Sequence, residues 1–106
     1  MASVETGSGR VEVRATPLSL MIYEQEFAGR SMVSDLLGGD GEWSVESGRW
    51  EALTRALWAC MRAADESVPP FGTWARGAEG LDLWVLHDQL IPVVIDGLFR
   101  ASGSPA

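Results

Sequence analysis

A chain of 106 residues with 46% hydrophobic and 22% charged side chains has the length and balance of one globular domain, too short for a core plus an elaborate cofactor-binding module. Its formal net charge is -7, and its eight cations are all arginines scattered from Arg10 to Arg100, so no basic run exists to neutralise a row of phosphates and nucleic-acid binding is not expected. The lone Cys60 cannot close an internal disulfide, no charged-then-apolar leader is present, and no apolar stretch nears the roughly 20 residues that cross a bilayer, so a soluble cytoplasmic protein is expected.

In chain order, residues 1–9 are small and Gly/Ser-biased and are expected to be flexible, as is the tail 102–106, leaving 10–101 as a single helical domain. Val11 and Val13 alternate with charges between Arg10 and Arg14, which predicts a short half-exposed strand. Thr16 and Pro17 supply an N-cap and a first-turn proline for a helix to about Phe27, ending near Gly29. Its Leu18, Ile22 and Phe27 are expected to pack against the two later helices, and Glu26 to pair with Arg30 at i+4. Ser31 to Leu37 forms a shorter helical piece, stopped by Gly38-Gly39-Asp40-Gly41.

The clearest helix runs from about Gly48 or Arg49 to Asp65 or Glu66. Trp50, Leu53, Leu57, Cys60, Met61 and Ala64 share its core stripe, and Ala52, Ala56, Ala59 and Ala63 make a smooth flank for a neighbouring helix. Glu51 and Arg55 form an i,i+4 pair on the polar stripe, in the middle of which Trp58 falls. Pro69-Pro70 breaks the chain before a helical turn over Phe71 to Arg76. Asp82 then caps a last helix to about Arg100, whose apolar arc suits the centre of a bundle and whose Pro92 predicts a kink or break near Gln89 to Ile91. The expected fold is all-α, a small bundle of about four helices with a short N-terminal strand.

Catalytic chemistry finds little to stand on. Cys60 lies on a core stripe, where a thiol behaves as a small hydrophobe, and one histidine with one cysteine cannot complete a zinc set. His87 reads as a core or helix-edge residue. Asp35 and Glu46 have the spacing of the ends of a calcium loop, but Leu37 and Gly39 occupy ligand positions and Asp40 replaces the required glycine. Glu24 and Glu26, at i,i+2, point to different sides of a helix. Neither a nucleophile elbow nor a phosphate loop is present. No catalytic residue, cofactor or metal is expected, and the protein reads as a non-enzyme.

Five tryptophans in so short a chain are many, and most should be core. For Trp58 two readings stand: the Pro69 to Trp74 segment folds over it, or it marks a contact surface.

Pro17-Leu18 to Phe27, the helix Trp50 to Asp65 with its Leu53-Thr54-Arg55-Ala56-Leu57-Trp58-Ala59 centre, the Pro70 to Trp74 segment and the closing Leu98-Phe99-Arg100 resemble the small tail assembly chaperones of long-tailed bacteriophages and prophages. The resemblance covers about 80% of the chain through mostly hydrophobic signatures; Gly38 to Gly41 and the N-terminal arm lie outside it. It implies a mainly helical protein that binds the phage tape measure protein and keeps it soluble until tail-tube subunits surround it. It also implies work in the host bacterial cytoplasm and absence from the mature virion. A frameshifted longer form of the chain itself and the tail-tube protein are the further partners it brings, and a homo-oligomer is compatible with it. Met32, Leu36, Trp58 and Trp74 are the residues expected to face the partner. The competing readings are a small acidic regulatory interaction protein, antitoxin-like or an anti-repressor inhibitor, whose acids should cluster on one face, and an enzyme subunit that borrows its chemistry from a partner.

Overall fold

The computed structural model describes residues 2–37 and 50–99. Among the described residues seven elements follow one another: β1 (Ala2–Glu5), β2 (Arg10–Val13), α1 (Pro17–Glu26), α2 (Met32–Leu37), α3 (Trp50–Ala64), α4 (Phe71–Gly77) and α5 (Leu83–Leu98). The fold is mainly helical with a two-stranded antiparallel sheet at one end of the chain. The tail 102–106 and the expected start of the third helix at Gly48 or Arg49 lie outside the described residues.

The expected strand is β2, but it does not stand alone. Residues 2–5, expected to be flexible, pair with it in the register Ala2 to Val13 and Glu5 to Arg10. Alternation explains the pairing: Val4 and Val13 are fully buried on one face, while Ser3, Arg10 and Glu12 face solvent on the other. Contacts distant in sequence hold the hairpin in place. The Glu5 N–H donates to Gln89 Oε1 at 3.3 Å, and the Thr6 carbonyl accepts from the Asp82 N–H at 2.8 Å. Gly7, at φ +94°, lies so close to Asp82 that a Cβ there would sit 2.6 Å from the Asp82 Cβ.

Pro17 opens α1 as expected. Thr16 is the N-cap residue as expected, and Ser19 closes a capping box with it: Ser19 Oγ accepts from the Thr16 N–H at 3.1 Å and donates to the Thr16 carbonyl at 2.6 Å. The helix ends at Ala28 and Gly29, both at positive φ, with the Gly29 N–H bonded to the Glu24 carbonyl. Ser19 and Tyr23 form its buried side; Ile22 and Phe27 are half-buried against the core, whereas Leu18 is half exposed, contrary to expectation.

The centre of the molecule is α3, not the last helix. It packs against β2, α1, α2, α4 and α5, and Ala52, Leu53, Ala56, Leu57, Trp58, Ala59, Cys60 and Ala63 are all buried. The alanine flank permits this, because a side chain of one carbon lets neighbours approach from a second direction. The Cys60 carbonyl also accepts from the Arg14 N–H at 2.9 Å, tying the end of β2 to the middle of the core. Asp82 caps α5 as expected, its Oδ1 accepting from the N–H groups of Trp84 and Val85. The helix then runs unbroken through Pro92. Leu86 and Leu90 before the proline and Val94 after it are fully buried, so both halves are held to the core while Pro92 itself is exposed. At the far end, Gly97 lies against Ala15, where a Cβ would sit 3.1 Å from the Ala15 Cβ and closer still to its carbonyl oxygen.

Candidate interaction surface

Three of the four residues expected to face a partner lie inside. Met32 is 1% exposed, Leu36 0% and Trp58 2%. For Trp58 the cause is the linker after α3, which folds over it as one of the two sequence readings required. Trp58 Nε1 donates to the Pro69 carbonyl at 2.8 Å, the Phe71 ring meets the indole edge-on at 5.7 Å, and Arg62 donates to the Val68 carbonyl. Phe27 completes the cluster, 4.9 Å from Phe71 and 5.8 Å from Trp58. Trp74 sits at its margin, half-buried and 6.0 Å from Phe71. The four residues therefore do not form one surface; in this conformation only Trp74 reaches solvent appreciably.

A polar knot fixes α2 against α1 and α3. The Asp35 carboxylate accepts from Tyr23 Oη at 2.7 Å and from Arg30 Nε and Nη2 at 2.9 and 3.0 Å, with Arg55 Nη2 at 4.0 Å. Arg55 Nε also donates to Tyr23 Oη at 3.2 Å, and its guanidinium stands 5.7 Å from the centre of the Phe27 ring. Arg30 thus forks onto Asp35 instead of pairing with Glu26, and Arg55 turns to Tyr23 and Asp35 instead of Glu51. Burial pushes the Asp35 carboxyl up, but hydrogen bonds from Arg30 and Tyr23 and the charges of Arg30 and Arg55 outweigh it, leaving the group below its ordinary value. Burial raises the Tyr23 hydroxyl. The knot consists of satisfied groups joining three helices, which is the arrangement of a structural clamp.

Nothing nearby supplies a nucleophile. Cys60 is fully buried, and burial pushes its thiol up to about 12 despite a hydrogen bond with Ser19. His87 is partly covered, its Nδ1 3.2 Å from Asp88 Oδ1. Among the described residues no three histidine, cysteine or acidic side chains converge on a point that could hold a metal ion; Glu46, the far end of the calcium-like spacing, lies outside them. No helix among these residues is long and apolar enough to cross a membrane. A shallow groove of about 420 Å³ between the sheet and α5 is lined by Ala2, Val13, Arg14, Val93 and Asp96, a mixed set without a reactive group.

The exposed apolar residues lie elsewhere. Leu18 and Met21 on α1 are 50% and 56% exposed, and Trp84 and Phe99 on and just after α5 are 59% and 58% exposed. Met21 borders a cleft of about 170 Å³ between α1 and α2, lined also by Leu20, Glu24, Arg30, Met32 and Val33. The sequence carries a signal for Leu18 and Met21: α1 holds Leu18, Leu20, Met21, Ile22 and Tyr23 within six positions, more apolar surface than one face can bury. Compared with known proteins, the chain matches no family model, no curated sequence and no solved structure.

Proposed function

We propose that the protein is a phage tail assembly chaperone that binds the tape measure protein and keeps it soluble in the host bacterial cytoplasm until the tail tube forms around it, leaving the mature virion without it. In this reading α1, α2, α3 and α5 act as a small four-helix scaffold whose outer surface offers apolar side chains to a helical client. The observation that carries the reading is the exposure of Leu18 and Met21 on the segment through which the chain most resembles such chaperones, beside the cleft between α1 and α2. Side chains of this kind left in water favour contact with another apolar surface, and several weak contacts along a long client add through avidity.

The test is co-expression with fragments of the tape measure protein from the same genome. Fragments that are insoluble alone should become soluble and be retained by the tagged chain. The Leu18→Ser, Met21→Ser double variant should keep its thermal unfolding midpoint within a few degrees and lose most of that retention. If the wild-type chain solubilises no fragment, the reading is wrong.

A further inference from the structure

The outer face of α5 is apolar where a helix bordering solvent is ordinarily polar. Leu86, Leu90 and Val94 point into the core and are fully buried. At about 100° per residue, the opposite side carries Trp84, Asp88, Pro92, Ile95 and Phe99, spaced four, four, three and four apart. Trp84 and Phe99 are 59% and 58% exposed, Pro92 is exposed and Ile95 is half-buried. One charge interrupts the stripe: Asp88, whose side chain is 78% exposed.

At that level α5 offers two acceptors. The first is the Asp88 carboxylate, approached on Oδ1 by His87 Nδ1 at 3.2 Å. The second is the Asp88 backbone carbonyl, whose usual i+4 donor is missing because residue 92 is proline. A guanidinium, with five N–H groups in a planar fork, can serve both at once, whereas an ammonium is a compact point charge.

We propose that this stripe is the docking face for an amphipathic helix of a partner protein that carries an arginine opposite Asp88. The stripe runs along α5 for about 22 Å, at 1.5 Å per residue, and has large aromatic side chains at both ends. Its spacing matches the ridges of a facing helix. The charge selects against a second copy of this chain: no stripe residue is a cation, and each copy would bring another Asp88 and a net charge of -7. Two α5 stripes therefore do not pair with each other, and the proposed arginine is a different protein's. The inference rests on the reading that the protein holds a helical client, and it assigns a second contact face, besides Leu18 and Met21 on α1, together with the client's chemistry there.

The probes are two synthetic amphipathic helical peptides, identical but for a central arginine or glutamate, titrated into the full chain by fluorescence anisotropy. The arginine peptide should bind the wild-type chain at least about ten-fold more tightly than the glutamate peptide, and Asp88→Arg should reverse the order. Pro92→Ala, which restores the missing N–H, should weaken binding of the arginine peptide, and Trp84→Ala with Phe99→Ala should weaken both peptides, the Trp84 change also removing the edge contact of its ring with Trp50 at 5.0 Å. Equal affinity of both peptides for wild type and Asp88→Arg, or no binding by wild type, overturns the inference. Fragments of the tape measure protein separate the two readings. Retention that survives Asp88→Arg and the aromatic double variant unchanged sinks the α5 face and leaves the chaperone reading intact. Arginine-dependent peptide binding with no fragment retained keeps the face and sinks the chaperone reading.

Discussion

Trp58 Nε1 donates to the Pro69 carbonyl at 2.8 Å, and this bond turns a tryptophan on a charged stripe into a core residue. Its indole lies between α3 and the linker to α4, in edge contact with Phe27 and Phe71. Trp58→Phe, which keeps a ring but removes the donor, should cost about 1–2 kcal/mol. Trp58→Ala, which also leaves a cavity, should cost about 3–5 kcal/mol. Urea unfolding measures both, and an alanine variant as stable as wild type would return Trp58 to the surface.

The clamp on Asp35 makes stability depend on acid in a defined direction. The folded state holds the carboxyl below its ordinary value of 3.8. The unfolded chain therefore takes up the proton first as pH falls. The contribution is complete above 3.8 and is lost as pH drops through the lower folded value. Asp35→Asn should be clearly less stable than wild type at pH 7, because Arg30 loses its charged partner, and the gap should narrow below pH 3.8. Denaturant midpoints of both proteins across that window measure it. A gap of constant size would mean that Asp35 carries no special proton linkage.

What the sequence made legible was local. The Pro17 start, the stop near Gly29, the Asp82 cap and the helix through Leu53 and Leu57 each depend on residues within a turn or two, and each is found in the structure. The misreadings share a cause: they turn on contacts outside the i, i+3 and i, i+4 spacing of a single helix. Ala2 to Glu5 looked loose because its Gly/Ser-rich turn hides a strand that Gln89 and Asp82 hold in place. Arg30 and Arg55 have acidic neighbours at helical spacing, yet Asp35, shared with Tyr23, offers both a less exposed partner. Of the kink or break expected at Pro92, the break is absent: the proline weakens the local hydrogen-bond ladder, but Leu90 and Val94 on either side of it hold α5 as one helix. For the interaction surface, the sequence supplied the excess of apolar residues on α1 and α5 without saying which of them the core would consume.

Cys60 should be inert while the protein is folded. Burial pushes its thiol up to about 12, so almost no thiolate exists at pH 8, and the sulfur is also shielded from reagent. Reaction with a disulfide reagent such as Ellman's should run at least about 100-fold slower on the native chain than in denaturing urea, through rare openings of α3. Destabilising variants such as Trp58→Ala should accelerate it by up to about ten-fold for each ~1.4 kcal/mol of lost stability. A native rate within two-fold of the denatured one would remove Cys60 from the core.

Gly97 tests how closely α5 and the segment after β2 are joined. A Cβ at this position would sit 3.1 Å from the Ala15 Cβ and closer still to the Ala15 carbonyl oxygen. The obstacle is backbone and a one-carbon side chain, neither of which can rotate away. Intrinsic helix propensity favours alanine over glycine by about 1 kcal/mol, so on a free helix face Gly97→Ala would stabilise. Here the steric term opposes and should exceed it, giving a net loss of about 1–2 kcal/mol. Gly72→Ala, in α4 with open space around its Cβ, is the control and should be neutral or stabilising. Thermal unfolding of both variants checks the sign. A stabilising Gly97→Ala would mean that the end of α5 does not pack on Ala15.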